Sequence, residues 1–244
     1  MKEIRMNKIT TILFDLDGTL LPINGEAFEA IYFKGLSSYF RDKFEPKDFI
    51  KIILSCLKTM VNDTSSKTNE EVFMEALKII VNDDITWMQE RFNQFYLKEF
   101  DEIRAAVTPN PYIQKAVKLL RAKGYRCNVV TNPMFPKIAI EKRIEWTGCD
   151  RRDFDYVTSF EKNHFCKPQL KFYEEVLSHL NVDASECLMV GNDIQEDMIV
   201  SKLNIDSYLI TDHVIQKDVI PESVTYSGNY EDFYRFVESL EPIV

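Results

Sequence analysis

The stretch Leu13–Leu20 reads LFDLDGTL: Asp15 and Asp17 stand one residue apart, after an apolar run and directly before Gly18 and Thr19. Two neighbouring carboxylates oppose each other's ionisation unless positive charge is held beside them. Other polar residues follow apolar runs in the same way. Thr131 and Asn132 follow CNVV, while Asn192, Asp193 and Asp197 follow CLMVG. Lys167 precedes Pro168 in NHFCKP. Crowded carboxylates are commonly held ionised by a hard cation with oxygen ligands. Magnesium suits so sparse a set, because it takes a few carboxylates and completes its shell with water and phosphate oxygens. Lys167 then adds positive charge for a phosphate, Thr131 adds a donor, and Gly18 allows the sharp turn that an anion-crowded loop needs.

These residues can act together only if the chain delivers them to one edge. Short, continuous apolar and β-branched runs predict buried strands at 9–14 (ITTILF), 127–131 (CNVVT), 187–190 (CLMV) and 207–211 (SYLIT), with a weaker one at 155–160 (DYVTSF). Between them, helical periodicity marks 111–124, 136–148, 167–180 and 195–204. Strand and helix alternating with short joints predict an α/β fold, a Rossmann-like, doubly wound parallel sheet covered on both faces. In such sheets ligands bind at the carboxyl ends of the strands. That edge is where the acids, the lysine and the hydroxyl above emerge.

Residues 22–107 break the rhythm. EAFEAIYFKGLSSYF, PKDFIKIILSCLKTMV, NEEVFMEALKIIV and ITWMQERFNQFYLKEF are all helical in period, and no strand signal interrupts them. A parallel crossover normally needs only a dozen or so residues and a helix, so an inserted all-helical domain at 22–107 is expected, with residues 1–21 and 108–244 forming the sheet-bearing core. The joints near Leu21–Asn24 and Thr108–Asn110 are the expected hinges. Within the insertion, the stripe Phe28, Tyr32, Phe33, Tyr39 and Phe40 reads as helix-bundle core rather than a cofactor box.

Composition narrows the partners. The 244 residues carry a net charge of −9 and are 45% hydrophobic, which is enough for a real core. An acidic chain argues against nucleic acid, and attraction of an anionic substrate then has to be local. No window approaches a membrane span and the N-terminus lacks a signal-peptide core, so a cytoplasmic protein without membrane contact is expected. Five scattered cysteines with no CxxC spacing read as reduced thiols, Cys127 and Cys187 as core fillers. His164 and His179 receive no catalytic role.

DLDGTL, VVTN, CKP and VGNDIQED resemble, in order and spacing, the four motifs of the haloacid dehalogenase superfamily of phosphohydrolases. The helical insertion resembles the C1 cap of that superfamily. The resemblance implies that Asp15 is the nucleophile forming an aspartyl-phosphate, and that Asp17 is the general acid and then the base. It also makes Asp17 similar to the position whose backbone carbonyl binds the metal. Thr131 is similar to the hydroxyl that holds the transferring phosphoryl group, with Gly18 and Asn132 in the same phosphate-binding loops. Lys167 is similar to the cation that neutralises that group and steadies Asp15, and the acids at 193 and 197 to the magnesium-binding motif. The substrate implied is a small phosphorylated metabolite, cleaved as a phosphomonoester, in a monomer or a homodimer.

Two departures matter. The commoner fourth motif places aspartate directly after the glycine, where this chain has Asn192, so the metal ligand is either Asp193 directly or Asn192, with Asp193 the preferred choice and Asp197 a further candidate. Dehalogenase members lack the second acid, which is present here as Asp17. A calcium loop starting at Asp15 fails because Leu20 stands where glycine is needed. A phosphomutase sharing all four motifs, a phosphate-binding module without turnover and an interaction protein built on the helical insertion remain as alternatives.

Overall fold

A computed structural model describes residues 9–215 and 221–243. In chain order the elements are β1 (Thr11–Phe14), α1 (Gly25–Ser38), α2 (Pro46–Asn62), α3 (Asn69–Val81), α4 (Thr86–Lys98), α5 (Pro111–Ala122), β2 (Arg126–Val129), α6 (Lys137–Trp146), β3 (Tyr156–Val157), α7 (Leu170–Leu180), β4 (Cys187–Gly191), β5 (Asp206–Ile210), β6 (Tyr226–Gly228) and α8 (Tyr230–Ser239). Short 3-10 segments add Phe100–Ala106, Arg151–Asp153, Ala184–Glu186 and Met198–Leu203. The six strands form one sheet, ordered β3-β2-β1-β4-β5-β6, with every pairing parallel. The strand order reverses between β1 and β4, the switch point at which doubly wound sheets bind ligands.

Alternation along the strands sends side chains to two layers. Leu13, Cys187 and Met189 pack with Phe172, Tyr173 and Val176 of α7, while Ile12, Phe14, Leu188 and Val190 join the larger core with α5, α6 and α8. Burial on both faces is why these strands read as unbroken apolar runs. The weak run at 155–160 yields only the two-residue β3. The helical pattern at 195–204 yields the 3-10 turn Met198–Leu203 instead of an α-helix. Asp197 explains the difference in part: its carboxylate turns back to accept from the Asn192 and Asp193 amides, and Asn204 ends the segment in the left-handed region at φ 59°.

Between β1 and α5 the chain is helical, with four α-helices and the 3-10 segment. The two joints run side by side: Ile23 forms an antiparallel bridge to Val107, Asn24 N–H donates to the Ala106 carbonyl and Thr108 N–H to the Pro22 carbonyl. The insertion is also sealed onto the core by an aromatic seam. Phe28 and Tyr32 of α1 meet Phe135, and Phe100 stacks on Trp146. Within the insertion Tyr32 and Phe40 are buried, and Phe28, Phe33 and Tyr39 pack at the margin of the same core. All five cysteines are free and buried. Among the described residues no helix is long and apolar enough to cross a membrane.

Candidate active site

Registers place the exits of three adjacent strands together. Phe14 of β1 is opposite Val129 of β2 and Val190 of β4, so the next residues of each strand emerge side by side. Asp15 follows at once, its N–H still donating to the Val190 carbonyl at 2.9 Å. The loop after it turns at Gly18, whose φ of +81° is in the left-handed region. A Cβ there would also overlap the Asn192 side chain, so glycine answers both a conformational and a packing demand. The Tyr230 hydroxyl, from the start of α8, donates to the Gly18 carbonyl at 3.0 Å and fixes the turn from outside.

Lys167 is the electrostatic centre. It is fully buried, and its Nζ donates to Asp15 Oδ1 at 2.8 Å and to Asp197 Oδ1 at 2.6 Å. Burial alone would lower its pKa, but the two carboxylates hold it well above the ordinary lysine range. Burial, with Asp197 and Asp17 adding to it, pushes the Asp15 carboxyl above its ordinary range, while Lys167 beside it favours the ionised form. Asn132 braces this arrangement: its Oδ1 accepts from Lys167 N–H at 3.2 Å, and its Nδ2 reaches both oxygens of Glu196 at 3.1 Å. Thr131 is buried beside it, and the Thr158 hydroxyl donates to its carbonyl at 2.7 Å.

The fourth-motif loop separates its polar residues by task. Asn192 is tied at both ends of its amide, accepting from the Thr19 hydroxyl at 2.8 Å and donating to the His213 carbonyl at 2.8 Å. Asp197 is held by Lys167 and by the Asn192 and Asp193 amides, and a Cβ at Gly191 would collide with its carboxylate. Asp193 accepts from Gln195 N–H at 2.7 Å and Glu196 N–H at 2.9 Å, both on Oδ1. The opposite edge of the site is Asp17, paired with the buried guanidinium of Arg143 in α6.

A divalent cation fits this donor chemistry within limits. Carboxylates outnumber cations, with Asp15, Asp17, Asp193, Glu196 and Asp197 around Lys167 and Arg143. Among the described residues no three His, Cys, Asp or Glu side chains form a metal cage. A divalent ion bound here would take one or two of these carboxylates and fill its remaining positions with water and substrate oxygens.

Sequence reasoning found the residues that strands carry directly to the edge. It missed Arg143, Glu196, Thr19 and Tyr230. A signal for Arg143 was present: it lies four residues after Ala139 and three after Ile140, on the buried stripe of its own helix, where a charge needs a partner. His164, set aside from catalysis, is bonded instead to Glu175 at 2.6 Å.

The model of haloacid dehalogenase-like hydrolases matches residues 9–201. A curated relative, pyrophosphatase PpaX from Bacillus cereus (strain Q1), is 26% identical over 185 residues, covering 76% of this chain and 75% of that protein. Among solved structures, the HAD phosphatase from Thermococcus onnurineus aligns with a TM-score of 0.62 at 18% identity, covering 96% of this chain and 100% of that one. L-2-haloacid dehalogenase from Xanthobacter autotrophicus, with chloropropionic acid covalently bound, aligns at 0.54 and 14% identity, covering 95% and 99%. The fold is thus common to phosphatases and dehalogenases, and reaction type has to be argued from the site. The match across most of its length, on a six-stranded parallel sheet with the four motif loops at its switch point, places this chain in the haloacid dehalogenase-like hydrolase family.

Proposed function

We propose that this hydrolase is a magnesium-dependent phosphatase that cleaves a small phosphomonoester through an aspartyl-phosphate on Asp15. The observation that carries the reading is the Lys167 ammonium held between Asp15 and Asp197, with Asp17 two residues further along the same strand exit. A carbon–halogen substrate has no use for a second acid at that position, whereas an oxygen leaving group has.

Asp15 attacks phosphorus with a carboxylate oxygen as the bond to the leaving oxygen breaks, and Asp17 delivers a proton to that oxygen. In the second half, Asp17 takes a proton from water as the water oxygen attacks phosphorus and the bond to Asp15 breaks. Lys167 and Thr131 balance and hold the equatorial oxygens, and positioning with charge stabilisation supplies most of the catalysis in phosphoryl transfer. A magnesium ion held by Asp15, the Asp17 carbonyl and Asp193 would supply further neutralisation of the phosphoryl charge. The insertion, hinged at its paired joints, would exclude water during transfer and open for release.

A cavity of about 300 Å³ between insertion and core is walled by Tyr32, Phe73, Phe92, Tyr96 and Phe160, and none of the proposed catalytic residues lines it. The relative named a pyrophosphatase puts inorganic pyrophosphate on the test panel beside phosphomonoesters. The first experiment is p-nitrophenyl phosphate hydrolysis with magnesium and with EDTA. Wild type should release phosphate only with the metal, and Asp15→Asn should form no acid-stable phosphoenzyme and lose turnover. No metal-dependent release from any phosphorylated substrate would sink the proposal, and labelled phosphoenzyme in Asp15→Asn would show that the nucleophile is misassigned.

A further inference from the structure

Arg143 is a charged side chain at the heart of the molecule. It is fully buried on α6, and a guanidinium so placed is costly unless it is paired. Its Nη1 pairs with Asp17 Oδ2, its Nε donates to the Ala139 carbonyl at 3.3 Å, and its Cζ lies 4.5 Å from the Phe135 ring centroid and 6.0 Å from that of Phe28. Two polar atoms of the pair are buried and unpartnered: Arg143 Nη2 and Asp17 Oδ1. The side chain of Asp17 is 35% exposed while that of Arg143 is 1% exposed. Whatever Arg143 does for a substrate, it therefore does through Asp17.

We infer that Arg143 is a positioning residue: it anchors Asp17 Oδ2 and thereby orients the carboxylate for proton transfer at the leaving oxygen. This rests on the reading of Asp17 as the proton-transfer group. The geometry supports a rigid clamp. The guanidinium meets Asp17 through one N–H, and its direction is fixed because Nε donates to the Ala139 carbonyl and Phe135 beneath the group restricts its swing. Phe135 is itself packed by Phe28 and Tyr32 from α1. Asp17, Arg143 and Phe135 all belong to the core, and Phe28 and Tyr32 of the insertion cover Phe135, so the clamp lies under the face on which the insertion sits. A lysine could carry the charge but not the Nε bond to Ala139 that sets its direction.

The test combines kinetics with crystallography of Arg143→Met and Arg143→Lys, each compared with wild type in magnesium. General acid–base groups contribute about 10²–10⁴-fold, so losing alignment without losing the acid should lower kcat by about 10–100-fold, with KM changed less than about twofold. The loss should be greater for an alkyl phosphate, whose leaving oxygen needs the proton, than for p-nitrophenyl phosphate. Arg143→Lys should recover part of kcat. In crystals of either variant the Asp17 carboxylate should rotate or become disordered while Asp15 stays on Lys167. Equal losses on both substrates, or an unmoved Asp17 in the variant crystals, would overturn the inference. Should Arg143→Met not fold, Arg143→Lys carries both readouts. An inactive wild type would count against the phosphatase reading alone, because the crystallographic comparison still decides whether Arg143 orients Asp17.

Discussion

The Asn192 amide is committed inside the protein, its oxygen to Thr19 and its nitrogen to the His213 carbonyl, whereas Asp193 binds its own loop through Oδ1 alone. Asn192→Ala should therefore cost stability, about 1–3 kcal/mol for buried groups left unpaired, with little change in the magnesium midpoint. Asp193→Asn should raise that midpoint at least severalfold, and the opposite ranking in a metal titration would reassign the ligand. Glu196 gives a second residue-scale prediction. Burial, with Asp197 and Asp193 adding to it, lifts its pKa to about 7 against the pull of Lys167 and Asn132. Because the folded value lies above the ordinary 4.5, the native state favours the protonated form. That contribution is fully present below about pH 4.5 and is lost as pH rises through 7. Glu196→Gln, which keeps an acceptor for Asn132, should match wild type near pH 4.5 in EDTA and become more stable by up to about 3 kcal/mol above pH 7. Urea unfolding at the two pH values checks the sign. Glu196 illustrates what the primary structure conceals: its neighbours Asp193 and Asp197 follow a strand at motif spacing, but its burial depends on Asn132 and Lys167 arriving from elsewhere.

At the scale of elements, legibility followed the number of buried faces. β1, β2, β4 and β5 are covered on both sides, so each announces itself as an apolar run. β6 is a three-residue edge strand, Tyr226–Gly228, too short and too polar to stand out. The helix after it, α8, went unread although Asn229 and Asp232 form a capping box at its start and Phe233 and Val237 lie buried on one face. Its role becomes visible only in the packing, where Phe233 meets Phe14 and Tyr208 edge-on and Tyr230 reaches Gly18. Phe233→Ala should cost about 3–5 kcal/mol, the range for a large aromatic removed from a packed core. Tyr230→Phe keeps the ring but removes the bond to the Gly18 loop, so it should lower turnover while costing only about 1 kcal/mol. Thermal unfolding and kcat measured side by side separate the two variants. Equal effects on both quantities would mean that α8 supports the sheet without steadying the turn.

For the whole molecule, the question is how a chain of net charge −9 admits an anion. The field outside the site opposes a phosphate, and around the site itself five carboxylates face only Lys167 and Arg143 among the cations named above. Arg143 is sealed beneath Phe135 and Phe28, so of these two cations Lys167 is the one whose charge is available to a phosphoryl group. Attraction must then be short-ranged, supplied by Lys167 and by the cation we propose for Asp15 and Asp193, while long-range steering is unfavourable. Salt discriminates between these distances, because the Debye length is about 10 Å at 0.1 M and contact pairs in a buried site are screened far less than approach from solvent. With magnesium held saturating, kcat/KM for a phosphomonoester should stay level or rise modestly as potassium chloride is raised from about 20 to 200 mM, since screening removes repulsion before it weakens contact. A phosphotriester analogue, which carries no charge, should show no such trend when bound in competition. A steep fall in kcat/KM with salt would mean that a positive funnel guides the substrate after all, and that the acidic total charge is arranged away from the mouth of the site.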